Sequence, residues 1–264
     1  MERGIDAYKL KLIALVFMIM DHINTYALFH RGGQWIPVIT RFVSPLFVFL
    51  MIDGFYHTRS RKNYFIRLFV AAMIMWTGNT IINYIFHSVD YYTGQYTFHS
   101  LVLQGYNIFL TLALAFAVIW CLENIRHHEN VAMNSILAII CALACISGYT
   151  EGGMSVLSIA VILWFFHGKK NLQCIAVGIL CLVRLILTLT RFALGGTGTT
   201  LYSYMCFSNE WAAFLVIPFI LLYNGERGKN TKFTKYLFYV VYPAHLWILM
   251  ITRYLIEQHR TDTW

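Results

Sequence analysis

Nine stretches of apolar residues recur along the chain, separated by short polar segments. They cover residues 10–30, 37–57, 63–87, 107–123, 132–149, 153–167, 171–190, 211–224 and 234–256. A helix needs about 17–25 apolar residues to cross a bilayer. The pattern therefore predicts an all-α fold, a polytopic transmembrane bundle of about nine membrane helices forming one integral-membrane domain over residues 1–264. The segments 153–167 and 211–224 are short for a full crossing, and 153–167 also fits a re-entrant segment. The first run is full length and lacks a small-residue cleavage site, so it is read as a retained helix. No internal repeat is visible.

Composition sharpens this picture. Of the 264 residues, 59% are hydrophobic and 12% charged, against about 25% charged in a soluble domain. No long polar stretch remains for a separate catalytic domain, so any chemistry belongs to the bundle or its faces. The net charge of +8 does not point to nucleic acid, because the basic residues lie in short loops between apolar runs. Their distribution is a topology signal. With the N-terminus cytosolic, that side collects Arg3, Lys9, Lys11, Arg59, Arg61, Lys62, Arg67, Arg126, Lys169, Lys170, Arg227, Lys229, Lys232 and Lys235. The far side collects Arg31, Arg41, Arg191, Arg253 and Arg260, and Arg184 falls within a helix. Fourteen against five supports an inside N-terminus and, with nine spans, an outside C-terminus. The six cysteines (Cys121, Cys141, Cys145, Cys174, Cys181 and Cys206) sit in or beside apolar runs and read as small buried hydrophobes.

The polar residues inside the apolar runs carry the candidate chemistry. Asp21 and His22 sit near the outer end of the apolar stretch KLIALVFMIMDHI, and an ionisable residue within a membrane helix is a functional-site hypothesis by default. Lys11 lies eleven residues earlier, three helical turns or roughly 16 Å along the same face. The helix thus has a cation where it meets the cytosol and a base near mid-membrane. Asp53 and His57 are four apart and stack on one face, with Gly54 permitting close approach of a backbone or ligand. His57 leads into Arg59, Arg61 and Lys62, with Arg67 a turn into the next helix. This cluster is either positive-inside charge or a dock for a polyanionic ligand such as a nucleotide-bearing acyl donor. Asn79 and Asn83 share a face and suit interhelical hydrogen bonding. Asn107 is placed to cap the fourth helix. Glu151 lies in a glycine-containing turn. Arg184, Thr188 and Arg191 share a face, and Arg184 at mid-helix demands an acid or water, with Asp21, Asp53 and Glu151 as candidates. Tyr242, Pro243 and His245 fall in one late apolar run, where Pro243 removes a backbone donor. The loops 88–106 and 195–210 are either functional loops or interfacial anchors. His127 and His128 read as a solvated loop pair. The dispersed histidines 22, 57 and 245 give no reason to expect a metal.

Six segments together resemble the TraX family of membrane proteins, whose founding member is the F-pilin acetylase. They are KLIALVFMIMDHI (11–23), RFVSPLFVFLMIDGFYHTRS (41–60), NIFLTL (107–112), EGGMSVL (151–157), LVIPFILLYNGERG (215–228) and KYLFYVVYPAHLWIL (235–249). The chain is similar, more distantly, to membrane acyltransferases that acetylate sugars. Those carry a basic residue, ten intervening residues and a histidine in their first helix, a spacing that Lys11 and His22 reproduce with Lys in place of Arg. Their serine-glycine-phenylalanine segment corresponds to Asp53-Gly54-Phe55, and their tyrosine-proline-histidine helix matches Tyr242, Pro243 and His245.

The resemblance implies an acyltransferase that takes an acetyl group from acetyl-CoA, in a bacterial inner membrane. The acceptor, a peptide N-terminus or a glycan, is left open. Acyl transfer needs a base for the acceptor's proton and donors for the tetrahedral oxyanion. His22 is the expected base, since a histidine removed from water favours its neutral form, with Asp21 or Asp53 orienting it. Tyr242 and His245 are the expected oxyanion donors or a second proton shuttle. Lys11, His57, Arg59, Arg61, Lys62 and Arg67 are expected at CoA, and Arg41, Asn79, Asn83, Glu151 and Arg184 at the acceptor. Direct transfer and transfer through an acetyl-histidine are both open. Intramembrane Asp, His and Arg equally mark transport pathways, so a transporter or flippase of anionic or lipid-linked substrates is the alternative, and an assembly subunit a third reading.

Overall fold

The computed structural model describes residues 4–28, 33–89, 94–147, 150–195, 198–229 and 231–261. Arg3 and Arg31 of the charge count lie outside the described residues, as do the side chains of Lys232, Lys235 and Arg260. In chain order the helices are α1 (Ala7–His22), α2 (Ile36–Ile39), α3 (Val43–His57), α4 (Arg61–Ile85), α5 (Ile108–Arg126), α6 (Val131–Ile146), α7 (Gly153–Phe165), α8 (Lys170–Gly195), α9 (Leu201–Phe207), α10 (Ile217–Leu222) and α11 (Lys232–Thr261). The protein is all-α. Each of the nine apolar stretches forms helix, but not all reach membrane length. Among the described residues, six are long and apolar enough to cross: Ala7–Ala27, Ile36–His57, Arg61–Ile85, Ile108–Arg126, Lys170–Gly195 and Tyr236–Ile256. The pair Leu201–Phe207 and Asn209–Leu222, bent by 59°, has the length of a further crossing when its two pieces are taken together, and it has the shape of a broken span or a re-entrant loop. The helices α6 and α7 are shorter, so length and composition alone do not carry a count of nine crossings.

Local sequence explains the helix ends. Asp6 caps α1, its Oδ1 accepting from the Lys9 N–H at 2.8 Å. Burial works against the charged form, but the Lys9 hydrogen bonds and ammonium prevail and hold this carboxyl below its ordinary range. Ser60 caps α4 and Asn107 caps α5, accepting from Asn63 and Leu110. At the end of α4, His87 adopts a left-handed φ of 48°. This lets Ser88 N–H reach the Asn83 carbonyl at 2.9 Å, closing the helix as glycine usually does. Within the loop 195–210, Thr200 caps α9 by accepting from the Ser203 N–H. That helix is not legible in the sequence, because its Ser and Tyr residues mask the apolar period.

The chain divides into two compact units, residues 1–50 with 162–238, and residues 51–161 with 239–264. In the first unit, Phe42 stacks on Phe219 at 4.5 Å and meets Phe17 edge-on at 5.1 Å. The backbone of Ile5 pairs with Leu222 and Asn224. The helix α8 packs on α10 and on the tight segment Asn209–Val216. Its other side exposes Ile175, Ile179, Leu182 and Ile186 at helical spacing, an apolar face suited to lipid. In the second unit, α5 lies against α4 and α6 and buries Phe109, Leu112, Ala115, Phe116 and Ile119.

Gly153 opens α7 directly against the Cys145 carbonyl oxygen of α6, in a space that any side chain would fill. Gly178 in α8 has open room, with Ile217 Cδ1 3.8 Å from an added Cβ. Gly153→Ala is therefore expected to lower stability by about 1–3 kcal/mol, and Gly178→Ala to raise it by about 0.5–1 kcal/mol. Thermal unfolding in detergent separates the two.

Candidate functional site

In the first unit, the polar residues gather at the end of α1. His22 is buried, 5% exposed. Beyond it the helix widens into one broad turn over Ile23–Ala27, closed by Leu28 N–H on the Ile23 carbonyl at 3.0 Å. Asp21 Oδ1 accepts from the buried Thr40 hydroxyl at 2.9 Å, and its backbone carbonyl accepts from Thr25. Three turns earlier, the Lys11 ammonium lies 5.9 Å from the Phe238 ring centre. Next to Thr40, Arg41 pairs with one oxygen of Glu210, and Arg184 Nη1 is 3.5 Å from the other. An acid beside Arg184 is thus Glu210, which is not among the three carboxylates expected from sequence. Glu210 escapes a sequence reading because it sits where α9 bends into the following segment. The scarcity of acids near an intramembrane arginine is the signal that marks it.

In the second unit, three groups stand out. At the junction of α3 and α4, His57 Nδ1 donates to the Asp53 carbonyl at 2.8 Å and lies 3.6 Å from its carboxylate. Arg61 spreads over the Phe55 ring at 4.1 Å and Arg67 over Tyr64 at 5.3 Å, while Arg59 and Lys62 are exposed. Gly54 makes room for the Tyr64 ring, which an added Cβ would meet at 2.9 Å. Beside this cluster, the buried Glu123 takes the Tyr56 hydroxyl at 3.2 Å and lies 3.4 Å from His127 Nε2. Glu123 is absent from the sequence-based candidates, although its four-residue spacing to His127 at the end of an apolar run marks the pair.

The second group is Glu151, Tyr242 and His245. The Tyr242 hydroxyl donates to Glu151 Oε2 at 2.8 Å and accepts from the Ile108 N–H at 3.2 Å. It thereby satisfies a first-turn N–H of α5, and Thr111 ties down the Glu151 backbone at 3.0 Å. The phenol has one proton and donates it to Glu151, so Tyr242 does not also donate to an oxyanion in this arrangement. His245, 5.8 Å from the Tyr242 ring, donates Nδ1–H to the Val241 carbonyl at 2.7 Å. That bond fixes the tautomer and puts the neutral ring's lone pair on Nε2. The helix α11 runs through Pro243 without interruption.

The third group holds Asn79 and Asn83. Asn79 donates to the Tyr106 carbonyl at 3.1 Å and accepts from Trp247 Nε1 at 3.1 Å. Asn83 donates to the Leu101 and Gln104 carbonyls and accepts from Tyr254. Both amides thus join α4 to α11 and to the connection 97–107.

The TraX protein family matches residues 7–253, nearly the whole chain. The chain belongs to the TraX family. Across 271 aligned positions it is 25% identical to the probable fimbrial assembly protein FimC, serogroup H1, of Dichelobacter nodosus, covering 97% of this chain and 100% of that protein. No solved structure matches. Every candidate residue named above falls inside the TraX match.

Tyr242→Phe in this TraX-family chain leaves both Glu151 and the Ile108 N–H short of a partner. It is expected to cost about 1–2 kcal/mol in detergent unfolding. Glu151→Gln keeps an acceptor oxygen for the phenol and is expected to cost less.

Proposed function

We propose that this TraX-family protein is a membrane-embedded acyltransferase that moves an acetyl group from acetyl-CoA to the amine or hydroxyl of an acceptor, with His22 as general base. The observation that carries the reading is the enclosure of His22, 5% exposed, in the first membrane-length helix with Lys11 three turns before it. An ionisable residue enclosed within a membrane helix is a functional-site candidate by default. In the proposed reaction, His22 takes the proton from the acceptor as its nitrogen or oxygen attacks the thioester carbonyl. The tetrahedral intermediate then collapses, the C–S bond breaks, and the proton passes from the imidazolium to the leaving thiolate. CoA leaves as the thiol and the acceptor keeps the acetyl group, so charge and protons balance.

Arg59, Arg61, Lys62 and Arg67 of the second unit are the proposed partners of the CoA phosphates, a role that suits Arg and Lys. The proposed topology keeps the N-terminus and these cations cytosolic, where acetyl-CoA is made, in a bacterial inner membrane. The fimbrial name of the Dichelobacter relative favours a peptide N-terminus of a surface-fibre subunit as first acceptor to try, with glycans second. Arg41 and Arg184 are the groups of the first unit proposed to meet the acceptor.

Thiol release from acetyl-CoA by purified protein in detergent tests the reading, with a mixture of peptides and glycans supplied. His22→Ala is expected to lower release by about 10²–10⁴-fold while still binding CoA. A wild type that neither binds nor turns over acetyl-CoA overturns it.

A further inference from the structure

The amide of Asn24 behaves unlike four other buried asparagines. Asn79, Asn83, Asn107 and Asn134 each use both ends. Asn107 donates to the Ala72 carbonyl and accepts from Leu110 N–H. Asn134 donates to the Glu129 carbonyl and accepts from Asn124. Asn79 and Asn83 are bonded as described above. Asn24 is wholly enclosed, 0% exposed, and its Nδ2 donates to the Gly33 carbonyl at 3.5 Å. The bond is long, but it settles the orientation of the amide, because a carbonyl only accepts. Oδ1 then faces away, and among the described residues it is the one buried side-chain nitrogen or oxygen without a hydrogen bond. Such an acceptor is costly to leave unmade, and each one in a native structure calls for an explanation. A leucine in its place would carry no such cost.

Its position supplies the explanation. Asn24 lies in the broad turn that follows His22, and five-residue turns of this kind recur at functional sites. Two residues apart, His22 and Asn24 point to opposite sides of the helix, so Asn24 does not belong to the base's own face. Asp21, three residues before it, shares its side, held there by the Thr40 hydroxyl. This side of the helix end therefore presents a carboxylate and an amide oxygen, two groups that accept hydrogen bonds. Its complement is a group that donates them.

We infer that Asn24 Oδ1, with Asp21 beside it, binds an N–H or O–H of the acyl acceptor and positions it. The acceptor's identity as such rests on the acyltransferase reading, whereas the binding site does not. The test uses the full chain in detergent, as wild type, Asn24→Leu and Asn24→Asp. Thermal unfolding is measured alone and with three probes: CoA, a short peptide with a free α-amine, and a methyl glycoside of N-acetylglucosamine. Asn24→Leu is expected to unfold at the same temperature or higher. It is expected to lose about tenfold or more in affinity for one acceptor probe and to keep its response to CoA. Asn24→Asp, which retains an acceptor oxygen, keeps part of that response. Loss confined to the peptide assigns the N–H, and loss confined to the glycoside assigns the O–H. The inference is overturned if Asn24→Leu unfolds several degrees lower, or if it and the wild type respond alike to both acceptor probes, including by not responding. Probe binding without thiol release by the wild type would instead strike the acyltransferase reading and leave the site standing.

Discussion

The bilayer offers no water to a polar group, so each one inside it must find a partner in the protein. The rest of this structure depends on that constraint. It explains why the chain is helical almost wherever it is apolar, since a helix satisfies its own backbone. It also explains the side chains that join elements within each unit. Asn79 and Asn83 hold the connection 97–107 against α4 and bond to α11. Tyr242 satisfies an N–H at the start of α5. Gln173 donates to the Leu163 carbonyl at 2.7 Å. Charged side chains follow the same rule, with the half-buried Arg41 and Arg184 on Glu210 and the buried Glu123 accepting from the Tyr56 hydroxyl.

Against that background, polar groups sort by what their bonds accomplish. Those that span two elements hold the fold, and their loss is read in stability. His22 and Asn24 stand at the end of α1, where the helix widens and the bonding changes character. An amide oxygen left unmet there costs stability that an apolar residue would not. The basic cluster of α3 and α4 follows another logic. Arg61 and Arg67 rest on aromatic rings and Arg59 and Lys62 face outward, so their charge stays available to an anion at little cost in burial.

Much of the fold is legible in the sequence because apolar runs of helix length have few alternatives. The caps at Ser60 and Asn107 follow from side chains that accept from the first-turn N–H groups, and the Asn107 cap is apparent from its place before an apolar run. What escapes is contact at a distance. Glu151 and Tyr242 are ninety-one residues apart, and no local pattern links them, so Glu151 reads as a turn residue. The same holds for Glu210, whose pairing with Arg184 depends on how the chain bends after α9. The helix α9 is hidden by hydroxyl side chains, and the chain bends by 59° just after it, ahead of the run 211–224, which itself changes from a tight segment to α10 at Ile217. Asn24 is overlooked for a different reason. The charges of Asp21 and His22 draw the eye, and an unmet amide oxygen is visible only once its surroundings are built.

The central claim is that the imidazole of His22 performs the proton transfer of an acyl transfer. Chemical rescue tests it most directly. His22→Gly removes the base and leaves space for a small molecule, and thiol release from acetyl-CoA is followed as imidazole is added across a range of pH. The account predicts that imidazole restores release and that the restored rate follows the neutral fraction of the added base. A folded His22→Gly protein that releases thiol at the wild-type rate without imidazole would contradict it.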